Sequence, residues 1–248
     1  MSKCIQMWMD IPTGFVDKAR FVRVIFTDVE REYDALLHLM TFSFDSVWRR
    51  RLLSKINFSR DVTILDLACG TGLVTYALSR RANPNTLVVG LDLSAPMLRV
   101  AKTKRSTAHS NCRIEFMRAV GEFLPFRQNL FTYVTVGLAL RNFANRIAMF
   151  KESLRVLKCG GWFLSIDFVR LRNAHLWPIY EFHIYRVLPS LGRLVSEYWR
   201  RTLIYLASSI RIAVGPEENC KLLNQVGFQN IGIERITLGV VALLSGRK

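Results

Sequence analysis

From residue 62 onward, the pattern of hydrophobic and polar positions alternates between buried strands and amphipathic helices. Short continuous apolar runs predict strands at 62–67, 86–91, 113–117, 131–137 and 162–168. The helical spacing of apolar residues between these runs predicts helices at 73–81, 95–105 and 143–157. Such alternation is typical of a parallel sheet covered by helices on both faces, so the sequence predicts an α/β fold.

The two ends of the chain depart from this alternation. Residues 1–20 show no clear pattern, whereas 21–57 predict helices. Residues 170–213 are rich in aromatic side chains and arginine, and they predict a helical insertion that acts as a lid. A helix at 216–226 and two strands close the chain. The strands, at 229–236 and 238–245, are separated by so short a turn that they must pair antiparallel.

We therefore expect one domain, residues 1–248, with four parts along the chain. These parts are an N-terminal helical cap (1–57), a cofactor-binding core (58–169), the lid insertion (170–213) and a C-terminal helix with a strand pair (214–248). A chain of 248 residues is long enough to bury one large core.

The most informative local feature lies where the first predicted strand ends. There an apolar run stops at Asp66 and passes into a small-residue turn that contains Gly70 and Gly72. The next strand ends in Asp92, which lies 20 residues past Gly72 (92 − 72). At this spacing a carboxylate meets a ribose diol in nucleotide-binding α/β folds. The sequence therefore predicts an adenosine-containing cofactor at this end of the sheet.

The residues around the turn narrow the choice of cofactor. Thr75 stands where a dinucleotide fingerprint has its third glycine, and no lysine follows the loop as it would in a phosphate-cradling P-loop. The carboxylate of Asp66 would repel a pyrophosphate but would attract a positive amino group. These features favour S-adenosylmethionine over NAD or ATP.

The chain here resembles a known family. Residues 64–72, Ile-Leu-Asp-Leu-Ala-Cys-Gly-Thr-Gly, resemble motif I of class I S-adenosylmethionine methyltransferases. Over roughly residues 22–246 the chain is similar, more specifically, to the C-methyltransferases of ubiquinone and menaquinone biosynthesis. The similarity is carried by blocks at 26–34, 48–49, 123–126, 137–142, 155–161, 187–192, 205–211 and 237–242. It implies a Rossmann-like, mostly parallel seven-stranded sheet with an antiparallel C-terminal strand.

The resemblance also implies a cofactor site. Asp66 would face the methionine amino group, Thr71 would bond the cofactor carboxylate, and Asp92 would accept both ribose hydroxyls. The chain departs from the family pattern at Val120, which offers no side-chain acceptor to adenine, at Gly137, where serine is frequent, and at Cys159, which replaces proline. The full cofactor set that we expect is Asp66, Ala68, Gly70, Thr71, Gly72, Asp92, Leu93, Met97, Val120, Gly121 and Gly137.

For the methyl acceptor, the resemblance implies four catalytic residues and a polyprenylated quinol. Arg141 and Asn142 would lie beside the acceptor, with the Arg141 guanidinium holding a water or stabilising a developing phenolate. Tyr33 would stack on the ring or bond it, and Asp34 would orient Arg141 or a water. The residues leave naphthoquinol and benzoquinol headgroups open. They also leave open another lipid or small-molecule acceptor, an RNA acceptor, and a non-catalytic cofactor-binding scaffold.

The composition adds one feature that the fold does not explain, a formal net charge of +16. Local basic clusters at 49–51, 80–81, 102–105 and 200–201 suggest either a solvated basic surface or contact with an anionic membrane surface. Nucleic acid is the less favoured partner, because no RNA-binding module and no Asp/Asn-Pro-Pro-Tyr block is evident. The five scattered cysteines argue against zinc, so no metal is expected. We expect a cytoplasmic enzyme, peripheral at the inner face of the membrane, and leave open whether it forms a homodimer.

Overall fold

The computed structural model describes residues 11–12 and 14–248, and a sheet organises them. Its seven strands within that part of the chain are β1 (Thr63–Leu67), β2 (Leu87–Asp92), β3 (Arg113–Arg118), β4 (Phe131–Gly137), β5 (Leu157–Phe168), β6 (Gln229–Ile236) and β7 (Val241–Arg247). They are ordered β3-β2-β1-β4-β5-β7-β6. Strands β1 to β5 pair parallel, whereas β7 pairs antiparallel with both β5 and β6. The predicted fold class is confirmed.

Helices cover both faces of this sheet. Before the first strand lie α1 (Phe15–Thr27), α2 (Tyr33–Met40) and α3 (Phe44–Leu53). Between the strands lie α4 (Leu73–Arg81), α5 (Ala95–Thr103) and α6 (Arg146–Val156). The insertion after β5 contains α7 (Trp177–Phe182), a π-helical turn (His183–Val187), α8 (Leu188–Val195) and α9 (Glu197–Arg211), and α10 (Pro216–Val226) precedes β6.

The central strands are buried on both faces, and they separate two apolar clusters. In β1, Ile64 and Leu65 point to opposite faces and each is fully buried. Ile64 packs in the cluster that includes Leu52 of α3 and Ala207 of α9, and Leu65 packs in the cluster that includes Phe150 of α6. Burial on both faces explains why the strands are continuous apolar runs instead of alternating patterns.

Three predicted boundaries were wrong. Helix α1 begins at Phe15, so residues 15–20 are helical although we expected no pattern there, and residues 1–10 and 13 lie outside the described residues. Strand β5 begins at Leu157 instead of 162, because residues 157–161, with Gly160 and Gly161, already belong to the strand. Strand β7 begins at Val241 because residues 237–239 have φ of 52°, 55° and 90° and form a tight turn.

None of the helices within residues 11–12 and 14–248 is both long enough and apolar enough to span a membrane. Over the same residues, no group of three or more His, Cys, Asp or Glu side chains is placed to hold a metal ion.

Candidate functional site

The strand order positions a cleft. From β1 the chain builds outward through β2 to β3 and then returns to the other side of β1 as β4. Loops at the carboxyl ends of β1 and β4 therefore leave in opposite directions, and such a switch point opens a crevice in α/β sheets. A deep cleft lies there, lined by residues of the glycine turn, of the end of β2 and of α1. The empty space in it, counted out to the open solvent at its mouth, is about 1240 Å³.

The turn after β1 has a backbone that few residues adopt. Ala68, Gly70 and Gly72 have φ of 52°, 55° and 84°. A Cβ added to Gly70 would meet no atom within 4 Å, so this glycine borders open space at the cleft, whereas a Cβ on Gly72 would lie 3.0 Å from the ring of Tyr76. Glycine at 70 thus leaves bare backbone at the cleft, and glycine at 72 lets the turn pack closely against Tyr76.

Asp92 ends β2 at the wall of this cleft. The backbone N–H of Gly70 donates to its Oδ2 at 2.8 Å, and that of Ser94 donates to its Oδ1 at 2.7 Å. Each carboxylate oxygen keeps a second lone pair, so the two oxygens can still accept one hydroxyl apiece. This arrangement fits a ribose diol, and it also ties the glycine turn to the second strand.

Asp66 lies deeper, on the central strand, with 1% of its surface exposed. The Thr75 hydroxyl donates to its Oδ2 at 2.6 Å, and the Thr135 hydroxyl donates to its Oδ1 at 2.9 Å. Burial raises the pKa of Asp66 to about 7, with a smaller contribution from the charge of Asp92. A nearby cation stabilises the ionised form of such a carboxyl group, so Asp66 is suited to bind the amino group of a methionine moiety.

The remaining wall is apolar and tightly packed. Leu93, Met97, Val120, Gly121 and Gly137 all line the cleft, as the sequence predicted. A Cβ on Gly121 would lie 2.5 Å from the Phe143 ring, and a Cβ on Gly137 would lie 2.6 Å from a methyl group of Val74. Neighbouring side chains thus occupy the space that a serine at 137 would need.

Helix α1, which belongs to the expected N-terminal helical cap, covers the mouth; its first turns, from Phe15, were not predicted. Ala19, Val22, Arg23 and Phe26 form one face of α1 and line the cleft. Upstream, the Lys18 ammonium donates to the backbone carbonyls of Arg141 and Phe143 at 3.1 and 3.0 Å. The signal for this helix was the apolar spacing of residues 22, 26 and 29, which continues upstream to 19 and which we began one turn too late.

Two of the expected catalytic residues, Tyr33 and Asn142, line the same cleft. The Tyr205 hydroxyl donates to Oδ1 of Asn142 at 2.8 Å, which leaves the Asn142 amide free to donate into the cleft. Burial raises the pKa of Tyr33 to about 12. Its hydroxyl therefore keeps its proton at neutral pH and acts as a hydrogen-bond donor.

The other two are placed differently from our expectation. Arg141 does not line the cleft, because its guanidinium forms an ion pair with the buried Asp167 and donates to the Leu138 carbonyl at 2.8 Å and to the Ser209 hydroxyl at 3.0 Å. Asp34 does not contact Arg141 either.

Asp34 instead joins the cap to the glycine turn. It accepts a hydrogen bond from the Thr71 hydroxyl at 2.5 Å and pairs with the Lys104 ammonium. The Lys104 ammonium also donates to the Thr71 carbonyl at 3.0 Å. The hydroxyl that we expected to reach the cofactor carboxylate thus bonds Asp34 in this structure.

The residues present fit S-adenosylmethionine: acceptors at Asp92 for a diol, a buried carboxyl at Asp66 for an ammonium, bare backbone between them, and an apolar wall. Together with the strand order, they define a class I S-adenosylmethionine-dependent methyltransferase. Residues 15–248 match the model of the ubiE/COQ5 methyltransferase family, and the chain belongs to that family.

Curated relatives agree over nearly the whole length. The ubiquinone/menaquinone biosynthesis C-methyltransferase UbiE of Xylella fastidiosa (strain M23) is 34% identical, over 94% of this chain and 91% of its own. The enzyme of the same name from Stenotrophomonas maltophilia (strain R551-3) is 33% identical, with the same two coverages. Enzymatic methyl transfer from S-adenosylmethionine follows from family membership.

Solved structures show the fold alone. A SAM-dependent methyltransferase from Aquifex aeolicus superposes with a TM-score of 0.57 at 13% identity, covering 80% of this chain and 88% of that one. The [4+2]-cyclase SpnF superposes with a TM-score of 0.62 at 17% identity, covering 83% and 81%. A cyclase on the same fold illustrates that the reaction must be argued from the site.

Proposed function

We propose that this enzyme transfers a methyl group from S-adenosylmethionine to a ring carbon of a polyprenylated quinol. The observation that carries the proposal is that the two ends of a single cleft are lined by different kinds of residues. The Asp66 and Asp92 end fits the cofactor, and the end beneath α1 and α2 presents aromatic and neutral hydrogen-bonding groups. The names of the UbiE relatives, which are C-methyltransferases of quinone biosynthesis, support this choice of acceptor.

Aromatic rings at the acceptor end suit a planar ring. Phe26 packs edge-on against Tyr33 and Tyr205, with ring centroids 5.7 and 5.8 Å apart. Such a cluster can receive a further ring by stacking or edge-to-face contact. Phe26 and Tyr33 both line the cleft, so a quinol ring there would lie within reach of the Tyr33 hydroxyl and the Asn142 amide.

The reaction needs an acceptor carbon that is electron-rich. Loss of a proton from a quinol hydroxyl would make the ortho carbon nucleophilic; as the new C–C bond forms, the sulfur–methyl bond breaks and S-adenosylhomocysteine leaves. The ring C–H proton would then leave and the quinol oxygen would be protonated again, so that one proton is released overall. Bound S-adenosylmethionine supplies the electrophilic methyl group, and its positive charge is lost in the transfer. The Tyr33 hydroxyl and the Asn142 amide can each donate a hydrogen bond to the phenolate oxygen and so stabilise it.

The cap contributes by excluding water. Helix α1 covers the mouth, and the Asp34 contacts with Thr71 and Lys104 tie α2 to the glycine turn. A closed, largely apolar cleft favours a step in which charge is dispersed, and it prevents water from competing for the methyl group. We further propose that catalysis takes place in the cytoplasm, at the inner face of the membrane that holds the polyprenyl tail.

An acceptor panel tests the proposal. The purified enzyme is given methyl-labelled S-adenosylmethionine with reduced demethylmenaquinol, with a demethylated benzoquinol, or with a bulk lipid extract lacking both. We expect label in one or both quinols, loss of at least tenfold in turnover for Asn142→Ala, and little change in cofactor affinity for that variant. Label only in the lipid extract, or none while calorimetry shows bound cofactor, would overturn the assignment.

A further inference from the structure

An exposed apolar face lies on the lid. Residues 177–195 form one continuous helical rod, α7, the π-helical turn and α8, which we call the lid rod. Ile179, Phe182, Leu191, Leu194 and Val195 of this rod are between 46% and 83% exposed. Soluble proteins rarely leave so many large apolar side chains together in water, and a face of this kind marks an interaction surface.

The same rod is basic. Arg186 and Arg193 are exposed, and neither forms an ion pair with any residue in the described part of the chain. The only acid within the lid rod is Glu181. Apolar side chains beside unneutralised arginines on one amphipathic helix are the combination that binds at the headgroup level of an anionic bilayer.

The lid rod also adjoins the acceptor end of the site. The ring of Phe42, which is 71% exposed, stacks on His183 of the rod at 6.1 Å and so extends the apolar face onto the turn after α2. Two residues earlier, Met40 is buried and lines a narrow pocket together with Tyr33, Tyr205 and Arg141. The turn that carries Met40 and Phe42 thus connects this pocket, which shares Phe26 and Tyr33 with the cleft, to the exposed face.

We propose that the lid rod, together with Phe42, is the surface by which this enzyme docks on an anionic lipid bilayer. The proposal rests on the proposed function, because a polyprenylated acceptor resides in such a bilayer and its tail would enter beside Met40 and Phe42. The sequence left open a solvated basic surface or membrane contact through the basic clusters, and the proposal assigns the contact to the lid rod instead.

The position of the basic cluster at 80–81 favours the lid rod over that cluster as the docking surface. Arg80 and Arg81 end helix α4, which begins at the carboxyl edge of the sheet after Gly72 and runs to the opposite edge. They therefore lie on the side away from the cleft, where bilayer contact would not deliver an acceptor. The lid rod follows β5, which ends at the carboxyl edge where the cleft opens.

Vesicle flotation of the full-length protein, without acceptor, tests the surface. The vesicles are either pure phosphatidylcholine or phosphatidylcholine with one third phosphatidylglycerol. The test variants are Phe182→Ser/Leu194→Ser and Arg186→Gln/Arg193→Gln. The matched controls are Met117→Ser, an exposed apolar residue on the far edge strand β3, and Arg80→Gln/Arg81→Gln.

We expect the wild type and both controls to float with anionic vesicles, and both lid-rod variants to lose about tenfold or more in partitioning. All variants should turn over a short-chain, water-soluble quinol at the wild-type rate. Equal flotation of the lid-rod and wild-type proteins, or loss of flotation in the Arg80/Arg81 control alone, would overturn the proposal. A wild-type dimer in gel filtration that Phe182→Ser/Leu194→Ser converts to monomer, without any flotation, would assign the face to a second copy instead. Flotation does not depend on the acceptor, so its failure is distinct from failure of the quinol assay.

Discussion

Replacing Asp66 by asparagine should make the stability of the ligand-free enzyme much less dependent on pH. Asp66 is a buried carboxyl whose pKa is raised from 3.8 to about 7 by burial, even though Thr75 and Thr135 both donate hydrogen bonds to it. In the unfolded chain it ionises near its ordinary pKa, whereas in the folded protein it holds its proton to about pH 7.

The sign and the size follow from that difference. Between pH 4 and 7 the folded state binds more protons at this site than the unfolded state does, so this contribution to stability falls as pH rises and levels off above 7. A difference of about 3 pKa units at 1.36 kcal/mol each amounts to ~4 kcal/mol over that window, as an upper figure. Asparagine has no proton to lose and removes this slope.

Urea unfolding of the ligand-free wild type and Asp66→Asn at pH 5, 6, 7 and 8 measures the effect. The difference in unfolding free energy should move in favour of the variant by roughly 2–3 kcal/mol from pH 5 to pH 8. Glu152→Gln is the control, because the Arg155 ion pair lowers the pKa of Glu152 and leaves it ionised in both states across this range. A pH-independent difference between wild type and Asp66→Asn would refute the reasoning.

Three further outcomes follow from the site. Asp92→Ala removes the acceptor for a diol and should weaken S-adenosylmethionine binding at least tenfold by calorimetry; unchanged affinity would contradict its role. Gly137→Ser brings a Cβ within 2.6 Å of Val74 and should weaken cofactor binding, with recovery in Gly137→Ser/Val74→Ala; binding that the second substitution does not restore would exclude the clash as the cause. Lys18→Ala removes two hydrogen bonds to carbonyls beside the cleft and should lower the unfolding free energy by ~1–3 kcal/mol and speed cofactor release. Stopped-flow release at the wild-type rate would contradict a role for Lys18 in holding α1 over the cleft.

The features that depend on neighbouring residues in the chain could be predicted from the sequence. The strands around Asp66 and Asp92 and the glycine turn between them were predictable, because continuous apolar runs, a terminal carboxylate and small residues each have one common structural meaning. The mostly parallel seven-stranded sheet and its antiparallel C-terminal strand were predicted through the resemblance and the short turn before β7, whereas the strand order was not predicted.

What escaped prediction depends on contacts between distant residues. The partner of Arg141 was not predicted: Asp167, 26 residues later on β5, forms an ion pair with its guanidinium. We expected Asp34 to orient Arg141 or a water, and its observed partners, Lys104 and Thr71, were not predicted. Such partners are far apart in sequence and meet only because the fold brings them together, so no local pattern reveals them.

The most direct test of the central claim is the position of the methyl group in the product. Purified enzyme, ¹³C-methyl S-adenosylmethionine and a reduced demethylated polyprenyl quinol should give a product whose label resonates as a methyl group on a ring carbon. A label found on a quinol oxygen, or no transfer to any quinol by enzyme that binds the cofactor, would contradict the account.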